Sequence, residues 1–173
     1  TEHFLSDIHG EHEAFLHIRR NASGAIRRKV DILFENEMDE HQRAELATLI
    51  YYPEEKLAEI REGGEISEEW YITTIERMVQ VCRAVSAKYT RSRVELMLRS
   101  AAEGYDHIID ELMSSDNEEK HRGKYYENIL KTIIRLDSAD RFISALAAGI
   151  KKLVVEHLHI VGDIFDRGPR ADI

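Results

Sequence analysis

Two short segments concentrate residues that could do chemistry. Near the start, Ser6-Asp7-Ile8-His9-Gly10 sets a carboxylate beside an imidazole. Near the end, Gly162-Asp163-Ile164-Phe165-Asp166-Arg167-Gly168-Pro169 adds two carboxylates and a guanidinium. Asp7, His9, Asp163, Asp166 and Arg167 are together the residue types that metal-assisted hydrolysis of a phosphate ester needs. Water becomes nucleophilic at neutral pH when a divalent metal lowers its pKa, and charge growing on the phosphoryl oxygens must be met by cations. A pair of metals does both, with a carboxylate bridging between them. Carboxylate oxygens with imidazole suit Mn, Fe or Zn rather than a soft-metal site. An arginine at the rim offers a planar fork for two phosphate oxygens. The first segment alone is a weak signal, because Asp-x-His recurs by chance. Gly-Asp-x-x-Asp-Arg-Gly is more specific. Its competing reading, a polar turn with an internal Asp166–Arg167 pair, is disfavoured by the strand before it and by the partner loop at Asp7.

The elements that must position these segments follow from the apolar pattern. His3 to Leu5 reads as a buried strand running into the first loop. Leu153-Val154-Val155 and Leu158-His159-Ile160-Val161, broken by Glu156 and His157, read as a second strand running into the other loop. Parallel neighbouring strands would bring the two loops together at their carboxyl ends, where open α/β sheets place ligands. Ala14, Phe15 and Ile18 are spaced for one helical face, with Gly24 as a stop. From about Asp39 to Ile150 the chain reads as almost entirely helical. Pro53 starts a helix that Gly63-Gly64 ends, and Ser67 caps the next. Tyr71, Ile75, Met78, Cys82, Val85 and Tyr89 form one apolar stripe; Ile108, Ile109, Leu112 and Met113 form another. Tyr126, Ile129, Leu130 and Ile133, then Phe142, Ile143, Leu146 and Ile150, continue the pattern. Helix packing explains these stripes better than a cofactor role. The polar run Ser114 to Gly123 reads as a loop.

Composition narrows the partners. The chain has 173 residues, 43% hydrophobic and 33% charged, with net charge -9. It can bury a core, and it lacks the basic face that a general nucleic-acid binder needs. A phosphorylated small molecule remains compatible, because bound divalent metals reverse the local sign. The single cysteine, Cys82, can form no disulfide within the chain, which fits a reducing cytoplasm. No apolar run approaches a membrane span. The chain opens on Thr1 close to a strand and closes on Ile173 just past a motif. The expectation is therefore a piece of a longer protein.

Ser-Asp-Ile-His-Gly and Gly-Asp-Ile-Phe-Asp-Arg-Gly resemble the first two signature motifs of the metallophosphoesterase (calcineurin-like) superfamily. The long helical stretch between them resembles the class III fructose-1,6-bisphosphatases of bacteria, the Firmicutes type. So does the local wording at residues 46–57, 88–92 and 157–163. The resemblance implies that Asp7 and His9 ligate a first metal and that Asp163 bridges two metals. It implies that Arg167 contacts the substrate phosphate and that Asp166 orients a catalytic histidine. That histidine belongs to a third motif, Gly-Asn-His-Asp/Glu, which does not occur in these residues. None of the nine histidines here takes that role. His157 and His159 read as structural, His12 and His17 as helix-surface residues.

The implied fold is α/β. Residues 1–24 and 153–173 would be the N-terminal part of a metallophosphoesterase catalytic domain, incomplete here, and would carry two strands of its sheet joined by a helical insertion over 25–152. The implied activity is removal of the 1-phosphate from fructose 1,6-bisphosphate in gluconeogenesis, assisted by Mn2+, with two divalent metals in the complete enzyme. The competing substrates are a phosphoprotein or a nucleotide. A further alternative is a helical scaffold or oligomerisation module, in which case the apolar stripes would form one continuous open face. The expected partners are a sugar bisphosphate and further copies of the chain, with no nucleic acid and no membrane. Lys88, Arg91 and Arg93 form a small basic group, read as a solvated helix end in preference to an anion contact.

Overall fold

The computed structural model of the chain describes residues 2–6, 24–114, 120–155 and 157–161. Their elements run β1 (Glu2–Ser6), α1 (Ala25–Phe34), α2 (Glu40–Tyr51), α3 (Pro53–Glu62), α4 (Glu68–Ser86), α5 (Arg91–Ala101), α6 (Asp106–Ser114), α7 (Lys120–Arg135), α8 (Ala139–Val154) and β2 (His157–Val161).

Helix boundaries follow local chemistry. Asp39 caps α2 with a reciprocal box: its carboxylate accepts from the Gln42 amide at 2.8 Å, and the Gln42 side chain accepts from the Asp39 amide at 3.1 Å. Pro53 opens α3, where its missing N–H costs nothing. Gly63 closes that helix, and Ser67 caps α4 by accepting from the Trp70 amide. Gly24 stands at φ 73, a left-handed conformation that favours glycine, immediately before α1. The helical face expected at Ala14, Phe15 and Ile18 lies outside the described residues.

The apolar stripes meet in one core, and α8 is its centre. Phe142, Ile143, Leu146, Ile150 and Leu153 are fully buried, and α8 packs against α1, α2, α3, α4, α5 and α7. Ile75, Met78 and Cys82 from α4, Ile109 and Leu112 from α6, and Leu130 from α7 join it. Burial pushes the Cys82 thiol up to about 12, so it stays protonated and is no nucleophile. Gly149 lets α5 approach α8 closely: a Cβ there would lie 2.8 Å from the Leu98 methyl.

Lys56 is 5% exposed yet charged. Burial opposes its charge, but hydrogen bonds with Glu45 and Glu59 outweigh that and raise its pKa. Its ammonium sits 2.8 Å from Glu59 and also pairs with Glu45, joining α3 to α2.

Three expectations are corrected. Leu153 and Val154 belong to the last turn of α8, not to a strand. Burial of Leu153 beside Ile150 outweighs the strand preference of the branched residues that follow it. The polar run ends earlier than Gly123, because α7 already begins at Lys120. A helical glycine costs about 1 kcal/mol, less than burial of Tyr126 and Leu130 on the same helix returns. The α/β class holds in its coarser part only. The described residues are predominantly helical, with one parallel pair of five-residue strands. The metallophosphoesterase sheet is not among them.

Candidate functional site

The site is approached from the two strands. β1 and β2 pair in parallel, with Glu2 opposite His157, Phe4 opposite His159 and Ser6 opposite Val161. The two carboxyl ends are therefore level. Asp7 follows Ser6 directly in the sequence, and Gly162-Asp163 follows Val161. Asp7, His9, Asp163, Asp166 and Arg167 themselves lie outside the described residues, as do His12 and His17. Among the described residues, no group of three or more His, Cys, Asp or Glu is arranged to hold a metal.

What the structure does describe is how β2 is delivered. α8 ends at Val154 and β2 starts at His157. The last carbonyls of a helix lack intrahelical donors. The Val155 amide completes the helical pattern by donating to the Lys151 carbonyl at 3.1 Å, and the Leu153 carbonyl beyond it accepts from the Tyr89 hydroxyl at 2.9 Å. Lys151 in turn donates from its ammonium to the Tyr51 carbonyl at the end of α2. At the other end of α8, the Tyr71 hydroxyl donates to Asp140 at 2.7 Å, and the Arg61 guanidinium pairs with the same carboxylate. Arg83 works the same way within the bundle, donating to the Leu112 and Met113 carbonyls at 2.7 and 3.0 Å, in the last turn of α6. The apolar stripe from Tyr71 to Val85 was legible in the sequence, but Tyr89, expected on the same helical face, lies past the end of α4. The hydroxyl partners of the two tyrosines were not legible, because both acceptors are distant in the chain.

Within the basic group, Arg91 forms exposed ion pairs. Arg91 is bound to Glu95 at 3.2 Å and to Asp110 at 3.0 Å, and Lys88 lies 4.7 Å from the centre of the Tyr89 ring. Arg91 is thereby committed to two carboxylates, as a solvated helix end would be.

Comparison with known proteins supplies the context that local geometry lacks. Residues 1–173 match the family described as Firmicute fructose-1,6-bisphosphatase. The chain belongs to that family. It is 49% identical over 173 residues to a protein named fructose-1,6-bisphosphatase class 3 from Clostridium acetobutylicum, covering all of this chain and 26% of that relative. Proteins of the same name from Porphyromonas gingivalis and Enterococcus faecalis are 47% and 48% identical, over 173 and 172 residues. These alignments cover 100% and 99% of this chain, and 26% and 27% of the relatives. The chain thus spans about a quarter of the length of these fructose-1,6-bisphosphatase relatives. No solved structure matches it. Among the described residues no helix is long and apolar enough to cross a membrane.

Proposed function

We propose that the whole protein carrying this chain removes the 1-phosphate from fructose 1,6-bisphosphate, using two divalent metals, Mn2+ foremost, as a gluconeogenic enzyme of the cytoplasm. The observation that carries this reading is the family match over residues 1–173. The level strand ends at Ser6 and Val161 support it, because the two motif segments continue directly from them. In the same reading, residues 1–24 and 153–173 belong to a metallophosphoesterase catalytic domain, to which β1 and β2 contribute strands, and residues 25–152 form an insertion.

The donor set fits a hard or borderline divalent metal: carboxylate oxygens from Asp7 and Asp163 and an imidazole nitrogen from His9. Asp7 and His9 would hold the first metal, and Asp163 would stand between both. The bound metals supply a water of lowered pKa and positive charge beside the phosphoryl oxygens. Arg167 presents its fork to two oxygens of the same phosphate, orienting the ester. Asp166 accepts a hydrogen bond from an imidazole and so holds that ring in one tautomer, ready to pass a proton. No Gly-Asn-His-Asp/Glu motif occurs in these 173 residues, so they alone should release almost no phosphate.

Phosphate release by the whole protein, with and without Mn2+, decides the reading. The panel is fructose 1,6-bisphosphate, a phosphopeptide and a dinucleotide polyphosphate. Mn2+-dependent release from the sugar bisphosphate alone is expected. Release from another member would keep the metal chemistry and discard the sugar, and no release from any would discard both.

A second reading concerns the helices, and an open groove favours it. Tyr105, Ile108, Tyr125, Ile129, Ile133 and Leu136 line a space of about 550 Å³ along α6 and α7. Tyr125 is 54% exposed and Leu136 68%. A homo-oligomer would cover this face. Sedimentation of the whole protein as a monomer at micromolar concentration would end that reading.

A further inference from the structure

Two tyrosine hydroxyls fasten α8 to α4, one at each end. Tyr71, in the first turn of α4, binds Asp140 in the first turn of α8 at 2.7 Å. Tyr89, just past the end of α4, binds the Leu153 carbonyl in the last turn of α8 at 2.9 Å. The two helices therefore run side by side in the same direction, and they pack extensively. Apolar packing by itself is non-directional and tolerates small axial shifts of a helix. A hydroxyl aimed at one carbonyl does not, because a hydrogen bond weakens steeply with distance and angle. The two ends of α8 differ in what lies beyond them. Asp140 follows a turn from α7. Leu153 is followed, after Val154, Val155 and Glu156, by β2, and β2 runs straight into Gly162-Asp163. A shift or fraying at this end passes into β2 with little chain to absorb it.

We infer that Tyr89, acting through its hydrogen bond to the Leu153 carbonyl, is a positioning residue that sets where β2 presents the Asp163 segment. It touches neither substrate nor metal. The inference rests on the phosphatase reading for its effect on turnover, and on geometry alone for its effect on β2. Tyr71 serves as the internal control: same residue type, same helix held, a bond of similar length, but at the end of α8 opposite to β2.

The test compares Tyr89→Phe with Tyr71→Phe in the whole protein, by steady-state kinetics with fructose 1,6-bisphosphate and Mn2+ and by amide hydrogen exchange. Small misplacements of reacting groups cost rate more than binding, so Tyr89→Phe should lower kcat about tenfold with KM within about twofold. Exchange should quicken in residues 154–161. Tyr71→Phe should quicken exchange in residues 139–146 and leave kcat within about twofold of wild type. Equal loss of kcat in both variants would reduce Tyr89 to a stabilising contact and overturn the inference. Unchanged exchange over 154–161 in Tyr89→Phe would overturn it too. If the wild-type protein releases no phosphate from the sugar bisphosphate, the proposed function falls, yet the exchange contrast still decides whether Tyr89 holds β2.

Discussion

The helical region and the strand pair divide the work unequally. The helices hold the core: Phe34, Ile50, Ile75, Met78, Leu98, Phe142 and Leu146 are all fully buried or nearly so. Some of their charged side chains pair with each other, as with Arg43 and Asp31 at 2.9 Å or Lys131 and Glu127 at 2.6 Å. The strands contribute ten residues, and the residues whose types suit catalysis continue from their ends. Two strands alone are marginal as a sheet. Among the described residues the helices supply the buried core, and the chain reaches the second motif segment through α8 and β2. Damage to one region should therefore read out differently from damage to the other.

The sharpest way to break this contrast is Asp163→Asn in the whole protein. Loss of a charge proposed to lie between two cations should lower turnover about 10³-fold or more. The thermal midpoint should stay within a few degrees of wild type. Near-normal phosphate release would refute the bridging role. Phe142→Ala probes the other side. It should cost about 3–5 kcal/mol of stability, measured by urea unfolding. Activity per folded molecule should be kept, and loss of specific activity without loss of stability would blur the division. Gly149→Ala is subtler. Alanine gains about 1 kcal/mol of helix propensity, but its Cβ meets the buried Leu98 methyl at 2.8 Å. Overpacking should win, with a net loss of about 1 kcal/mol in the same assay. A stabilised variant would show that Leu98 can move aside.

The smallest effect is expected at Glu76. Burial, with a lesser push from Glu127, raises its pKa above the ordinary carboxylate value. A carboxyl whose folded pKa is raised stabilises the fold least when ionised, so stability is lost as pH climbs through the folded value. Glu76→Gln should therefore raise the unfolding midpoint at pH 7, and the gain should vanish below the unfolded carboxylate pKa. A gain that persists at pH 3 would assign the effect to something other than titration.

Much of the helical region was legible from local signals. Asp39 and Ser67 mark helix starts through bonds to residues three positions on, Pro53 by having no N–H to satisfy, and Gly63 marks an end, so no knowledge of the fold is needed. The stripes at Tyr71 to Val85 and Phe142 to Ile150 announced their buried faces for the same reason. The mistaken strand at Leu153 came from the opposite situation. Leu153-Val154-Val155 suits a strand locally, and what makes it helical is burial against neighbours far away in sequence. Lys56 was invisible as a buried residue because nothing in Pro53-Glu54-Glu55-Lys56 foretells that Glu45 and Glu59 will enclose its ammonium. The candidate site was legible as residue types and spacing, and its arrangement lies outside the described residues.

By itself the sequence determined the residue kit at Asp7, His9, Asp163, Asp166 and Arg167, the family, and the helical character of what lies between. Those are properties of residue type and short-range spacing, which every copy of the chain carries folded or not. Tertiary structure alone decided that β1 and β2 lie in parallel with Ser6 level with Val161, that α8 is the central helix, and that Tyr71 and Tyr89 fasten its two ends. Pairings across such long separations depend on how every intervening helix packs, and no local pattern encodes that sum.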